Sequence, residues 1–536
     1  MRDYLKAAAA KRLWWDLTHS TQPVVWLYAL VLGTVAAYGA LLFWWSVSFL
    51  QSLAFGADEA ALATGAEQLP PWRVVAVTAG GGLLVGLILW FTVEDRRIHG
   101  VADVIKARLL RRAKMSRRIG LISAMCNVIA LGSGMSMGRE GPVVHLGATL
   151  STLFARRMGL PQRERRILLG CGVAAAVSAS FNAPIAGVLF ALEVVLGHYA
   201  PSAFAPIVIA SVMGTLVSRL HLGNAHVFDV PIFTLQSYWE IPAFALLGLV
   251  CGIVAIAFTR SIFLVEDMAA RTRAPIWLRT TLAGALVGAI ATQMPQVLGV
   301  GYEAVGRILE APPGFVLLVA LAVAKTAATA ITIGGRAGSG VFSPSLYIGL
   351  VTGTAFWWLA SAALPDYAGP HGLYALIGMA AVSAAVLGAP ISTTLISFEL
   401  TGNYQVAIFA MIAASISSMA MQYFAGSGFF RMQLVRWGVP VEEPPTRIVL
   451  DGVTVTDVMR EAPELPPGIG LNDDTPRIAP DASLAAALDL MERENREAVW
   501  VVDPDEPEKA KGVVRRSDAY RTLARALLDA HEEEHR

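Results

Sequence analysis

Charge is scarce in this chain. Of its 536 residues only 15% are Asp, Glu, Lys or Arg, where a soluble chain averages about 25%. With 55% hydrophobic residues and a mean hydropathy of +0.55, that shortage excludes a water-soluble globular protein. Cysteine is nearly absent as well. Cys126, Cys171 and Cys251 lie in apolar segments without CxxC spacing, which excludes a disulfide framework and a thiolate metal site and leaves three small buried hydrophobes. An excess of one sign is missing, the balance being +1, so nothing points to a nucleic-acid partner. Basic residues are missing from Gly56–Pro71, which holds Asp58, Glu59 and Glu67, whereas Arg96–Arg118 carries nine and Arg156–Arg166 five. With Lys6, Lys11 and Arg12 near the start, the positive-inside rule places the N-terminus and Arg96–Arg118 in the cytoplasm and Gly56–Pro71 outside. No signal-type cleavage site follows the basic start, so the first span is expected to be retained.

What is present in quantity is apolar sequence. Runs of spanning length occur at Val24–Leu50, Val74–Phe91, Phe204–Val217, Ile241–Phe263, Phe315–Ile333 and Val406–Phe424. Shorter ones, such as Leu121–Met137, Pro142–Phe154 and Pro184–Leu196, are broken by Gly or Pro and suggest tilted or half-crossing helices inside a bundle. The expected fold class is an all-α polytopic membrane protein with a small cytoplasmic α/β module. A cytoplasmic N-terminal helix over residues 1–22 precedes a membrane domain over 23–438. A linker over 439–452, marked by Glu442-Glu443-Pro444-Pro445, leads to the module over 453–536. In the module the pattern predicts a helix over Ser483–Glu494, strands at Ala498–Val502 and Gly512–Val514, and a helix over Ser517–Leu528, with Pro466-Pro467-Gly468 as a loop.

The membrane part repeats itself. Gly172–Glu193 aligns with Gly378–Glu399 at an offset of 206, with nine of 22 positions identical, including Ala-Pro-Ile and the closing Glu. At an offset of 202, GREGP (Gly138–Pro142) meets GVFSP (Gly340–Pro344), and both open an apolar helix. In Gly-x-x-x-Pro the glycine permits a bend, the proline suits the first helical turn, and the residues between present free N–H groups at the positive end of the helix dipole. Two such ends from two repeats, about 23–225 and 235–438, would make an anion cradle; the bland alternative is two ordinary helix starts. Glu140 is then a tethered competitor, occupying the cradle when ionised and yielding when protonated or displaced. Arg139 reads as its ion-pair partner.

These motifs, together with FNAP (Phe181–Pro184), resemble the signatures of the CLC family of chloride channels and chloride/proton antiporters, in order and over about residues 20–440. The resemblance implies an inverted-repeat helical bundle with broken helices, assembled as a homodimer with one pore per subunit. It implies Glu140 as the gate and the N–H groups of Val341 and Phe342, beside Ser343, on a central anion. Those around Gly138, Arg139 and Gly141 would serve an outer site. Three departures follow. Where the family has Gly-Ser-Gly-Ile-Pro, the match is Ile98–Ala102, which puts His99 at the serine position with an N–H to offer the anion; GSGMS at Gly132–Ser136 abuts GREGP too closely to be that motif, and reads as a close-packed helix end and loop. Phe430 stands where the family has its pore tyrosine. Val194 stands where many antiporters carry a proton-relay glutamate, which favours a passive voltage- or pH-gated channel, with antiport as the alternative. Glu193 and Glu399 are expected to be structural.

The C-terminal module resembles a single CBS motif. CBS motifs work in pairs, so two subunits would contribute one each across the two-fold axis. Asp518 matches the family's nucleotide contact while Arg515 occupies its hydroxyl position, so regulation or dimer contact is the expected role and an adenine nucleotide the alternative ligand; no other cofactor and no metal is expected. The expected partners are chloride or a similar small anion (nitrate, fluoride or bicarbonate), a proton in the antiport case, the lipid bilayer and a second copy. The expected location is a bacterial inner membrane with both termini cytoplasmic. An intramembrane enzyme built on Ser136, His145, Ser339 and Ser343, and a sensor whose output is the CBS-like module, are the readings of another class. The enzyme reading brings no HExxH and no Ser–His pair placed by the repeat, and the retained GREGP argues against a sensor with a dead pore.

Overall fold

The structure, a computed structural model, describes residues 22–110, 113, 115–223, 237–238, 240–402, 404–439, 441, 453–461, 476–503 and 506–524. All but the last residue of the expected N-terminal helix, nearly all of the linker and the Pro466-Pro467-Gly468 loop lie outside them. The first half of the membrane domain contains α1 (Gln22–Phe55), α2 (Leu62–Glu67), α3 (Pro71–Thr92), α4 (Val101–Leu110), α5 (Arg117–Gly132), α6 (Glu140–Arg157), α7 (Gln162–Phe181), α8 (Pro184–Phe190) and α9 (Pro201–Leu222). The second contains α10 (Glu240–Arg271), α11 (Ile276–Ala291), α12 (Tyr302–Glu310), α13 (Phe315–Gly334), α14 (Phe342–Ala363), α15 (His371–Leu387), α16 (Pro390–Thr401), α17 (Tyr404–Ala425) and α18 (Phe429–Arg436). Among the described residues seven helices are long and apolar enough to cross a membrane, six matching the runs read from the sequence and the seventh being α14. Their exposed apolar side chains, among them Leu42, Phe49, Leu53, Leu246 and Ile253, suit lipid rather than water.

The repeat governs the packing. Gly82 on α3 faces the Thr280 carbonyl, and Gly284 on α11, 202 positions later, faces that of Thr78. A Cβ at either glycine would come within 2.2 Å of that carbonyl oxygen, so only Gly lets these backbones touch. The closing glutamates are exchanged in the same reciprocal way. Glu399 accepts the N–H groups of Ile185 and Ala186 at the start of α8 (3.0 and 2.7 Å), and Glu193 accepts those of Ile391 and Ser392 at the start of α16 (3.2 and 2.8 Å). Each carboxylate meets the donors and the positive dipole end of the partner repeat's helix. That is the structural role expected of both. GSGMS is a helix end and loop: α5 stops at Gly132, where Leu50 packs, and Met135 is fully buried between α3 and α11.

In the C-terminal module the strands β1 (Arg460–Glu461), β2 (Arg477–Ile478), β3 (Ala498–Asp503) and β4 (Glu506–Arg515) form a sheet of order β1-β4-β3-β2, parallel only between β2 and β3. Helix α19 (Leu484–Arg493) starts at Ser483, whose hydroxyl accepts the Ala486 N–H, and buries Leu484, Ala487, Leu488 and Met491 against Val499, Val501 and Val514. The last helix covers 516–524 among the described residues.

Candidate functional site

The two Gly-x-x-x-Pro motifs meet. The Gly138 N–H donates to the Gly340 carbonyl at 2.8 Å, so α6 and α14 start from one point. Gly340 has φ +112°, and a Cβ there would lie 2.3 Å from the Gly138 carbonyl oxygen. The contact also corrects one expectation. The Gly138 N–H is spent between the motifs and is not offered to an outer anion.

Glu140, the first residue of α6, is buried, and its carboxylate reaches across to α14. Its Oε1 accepts the Ser343 hydroxyl at 2.5 Å and the Tyr302 phenol at 3.3 Å, while Oε2 has no hydrogen-bond partner among the described residues. Arg139 is held mainly by groups other than Glu140. It donates to Glu59 at 2.8 Å and to the Ser180 carbonyl at 3.1 Å, lies over the Tyr302 ring, and comes within 3.8 Å of Glu140. Glu59 is further held by the Trp44 indole N–H at 3.0 Å, so part of the acidic loop folds back onto the site.

Two cavities approach Glu140 from opposite sides. One, of about 720 Å³, is lined by Trp44, Glu59, Arg139, Tyr302, Glu303 and Arg307. The other, of about 60 Å³, is lined by Arg97, Asp103, Arg336, Ser339, Gln433 and Phe430. Between them Glu140, Gly141, Val341, Phe342, Phe181 and Phe430 enclose only about 10 Å³, room for roughly one water-sized sphere. The passage is therefore closed, with the Glu140 side chain at its narrowest part. Gly141, Val341, Phe342 and Phe430 all line this constriction. Val194 belongs to the π-helical turn Ala191–Leu196 that follows α8.

His99 departs from expectation. Its Nε2 lies 3.0 Å from Asp95 and its Nδ1 3.3 Å from Asp103, its ring packs edge-on to His145, and it lines neither inner cavity. Both ring nitrogens face carboxylates, so neither is offered to an anion. Burial pushes the Asp95 carboxyl up, but the His99 hydrogen bond and charge, with Arg97, outweigh it and hold it below the usual carboxylate range. Asp518 is engaged within the module: both its oxygens are held at 2.9 Å by the Arg460 guanidinium. Of the residues raised for an intramembrane enzyme, Ser136 bonds Thr329 and Ser339 bonds Asn127, while Ser343 bonds Glu140; none of these bonds involves His145.

Sequence reasoning missed Tyr302, Lys325 and Asn127. Lys325 is fully buried on α13 and donates to the carbonyls of Val297 and Gly299, both at 2.9 Å, which anchors the segment leading into Tyr302. Its signal was a lone lysine inside Phe315–Ile333. Asn127 accepts both the N–H and the hydroxyl of Ser339 at 3.0 and 3.1 Å and fixes the loop before GVFSP.

A family model described as voltage gated chloride channel matches residues 80–422, and a CBS domain model matches 455–525. A ClcB-like chloride channel protein of Ralstonia nicotianae is 34% identical over 387 residues, covering 72% of this chain and 90% of the relative. The voltage-gated ClC-type chloride channel ClcB of Escherichia coli (strain K12 / DH10B) is 31% identical over 411 residues, covering 76% and 97%. Among solved structures, a slow cyanobacterial Cl⁻/H⁺ antiporter superposes with a TM-score of 0.68 at 21% identity, covering 78% of this chain and 99% of that one. A CLC-type fluoride/proton antiporter superposes with a TM-score of 0.65 at 20% identity, covering 77% and 98%. At such identities the likeness is one of fold.

Proposed function

The chain belongs to the voltage-gated chloride channel family, the CLC family, and we propose that it carries chloride across a bacterial inner membrane through a pore gated by Glu140. The observation that carries this reading is the Glu140 carboxylate lying in the narrowest part of the passage, where two helix N-termini converge and a small anion would bind. A carboxylate and a chloride ion compete for the same donors, so removing the carboxylate's charge or moving its side chain admits the anion. Val341 and Phe342 supply the main-chain donors and Ser343 the hydroxyl that now holds the gate, while Phe430 closes the side with Arg97, read as cytoplasmic. The functional unit in this proposal is a homodimer with a pore in each subunit.

Passive conduction is the first reading of the mode, because Val194 cannot relay a proton. Chloride/proton antiport is the second, favoured by the unpartnered Glu140 Oε2, a place for a proton inside the passage. Purified protein in liposomes under a chloride gradient separates them. The passive reading expects chloride flux with no proton movement against its own gradient; uphill proton movement would establish antiport, and absence of chloride flux would remove both.

Tyr302 steadies the closed gate. Losing its long hydrogen bond to a carboxylate costs about 1 kcal/mol, or roughly a fivefold change in occupancy. Tyr302→Phe is therefore expected to raise chloride flux at neutral pH about three- to fivefold, measured as efflux from liposomes. An unchanged rate would leave Tyr302 a packing residue only.

A further inference from the structure

Away from the pore, the start of α5 and the end of α6 come together on the side where Arg97 stands. Gly120 packs on Thr149, and α6 runs toward that side from Glu140 past His145, which meets His99. Between the two helix ends lies an open cleft of about 760 Å³ lined by Met115, Ser116, Arg117, Arg118, Leu153, Arg156 and Arg157. All four arginines are exposed, none has an ion-pair partner among the described residues, and no carboxylate lines the cleft. Ser116 caps α5 by accepting the Ile119 N–H, leaving the first-turn N–H groups of Arg117 and Arg118 pointing outward at the positive end of the dipole. Below the cleft, on the same face as Arg117 at successive steps of four residues, Leu121 and Met125 are exposed at 48% and 46%.

We propose that this cleft binds the phosphate headgroup of an anionic phospholipid, with an acyl chain lying along Leu121 and Met125. The chemistry divides into two matching parts. Guanidiniums and helix N–H groups recognise a phosphate oxygen, and an apolar stripe descending from them recognises a chain attached to that phosphate. A free phosphate ion would use the first part and leave the second bare. The positive-inside asymmetry places the cleft at the cytoplasmic leaflet, where anionic lipids interact with basic residues at the surface. General attraction of any basic face to such a leaflet is the competing account, and equal charge elsewhere on that face tests it. Arg271 and Arg273, exposed at the end of α10, serve, because Glu266 on that helix lines the cavity with Arg97.

The test uses the full chain, with phosphatidylglycerol retention in detergent measured by native mass spectrometry, and protein reconstituted in phosphatidylglycerol–phosphatidylcholine vesicles or in phosphatidylcholine alone. Bound phosphatidylglycerol is expected, and Arg117→Gln with Arg118→Gln is expected to weaken it at least about tenfold, or 1.4 kcal/mol. Arg271→Gln with Arg273→Gln should leave it within about twofold, within 0.4 kcal/mol. Leu121→Ser with Met125→Ser should weaken phosphatidylglycerol retention without altering competition by inorganic phosphate. Equal losses from both arginine pairs would overturn the site in favour of general attraction. Full displacement by inorganic phosphate, with no effect of the serine variant, would make the ligand a free anion and overturn the lipid assignment. Equal retention of phosphatidylcholine would overturn the phosphate recognition. Thermal stability in detergent, matched across variants, excludes misfolding as the cause of a loss.

Discussion

Glu140→Ala is expected to raise chloride flux about tenfold or more at neutral pH and to abolish its pH dependence. The magnitude follows from the hydrogen bond that holds the Glu140 carboxylate. Ser343 donates to the carboxylate at 2.5 Å, and hydrogen bonds to charged groups contribute about 1.5–3 kcal/mol, against 1.4 kcal/mol for each factor of ten. Alanine removes both the competing charge and the volume that closes the passage, so chloride occupies the donors whatever the proton concentration. Efflux from liposomes across acidic to mildly alkaline pH measures it. A variant that keeps the wild-type pH profile would remove Glu140 from the gating role. The Tyr302→Phe outcome is read against it, because a latch without effect leaves the gate standing if Glu140→Ala behaves as described. Were the protein an antiporter, the same substitution would separate chloride flux from proton movement.

The second large effect concerns the junction between the two Gly-x-x-x-Pro motifs. Gly340→Ala is expected to cut chloride flux at least about tenfold and to lower thermal stability, because two penalties coincide. The added Cβ would lie 2.3 Å from the Gly138 carbonyl oxygen, closer than any van der Waals contact, and φ of +112° is a conformation that L-residues rarely adopt. The strained backbone alone costs on the order of 1–3 kcal/mol, and relieving the clash breaks the Gly138–Gly340 hydrogen bond that sets α6 against α14. Gly306 is the control: it lies inside α12 with nothing within 4 Å of an added Cβ. There alanine is favoured over glycine by roughly 1 kcal/mol. Gly306→Ala should keep wild-type flux and lose no stability. A Gly340→Ala protein as active and stable as the Gly306→Ala control would mean that the two motifs do not need their present contact.

How far the sequence alone reached can be judged residue by residue. Membrane residence, six of the seven spanning helices, the repeat and the place of Glu140 at a helix start were all legible. Each rests on local composition or on the match between two short segments, and neither needs the chain to be folded in space. Glu193 and Glu399 were legible as structural for the same reason, their motif being repeated. The seventh span, α14, escaped because it opens within GVFSP and carries polar Ser343, Ser345 and Thr352 among its apolar residues.

What only the tertiary structure decided is which groups those residues touch. Glu140 meets Tyr302 and Ser343 from 162 and 203 positions away, and Arg139 meets Glu59 from 80. Asp95 and Asp103 were visible near His99 in the sequence, but that both would take its ring nitrogens, away from an anion, depended on how the loop after α3 folds over α4. Asp518 was aligned to a nucleotide, yet Arg460, 58 positions earlier, holds it. Hydrophobic patterning selects where each helix goes because lipid solvates every span by the same rule. A polar group inside the bundle has no water to satisfy it, so its partner is whichever donor or acceptor the packing of the two halves brings within reach.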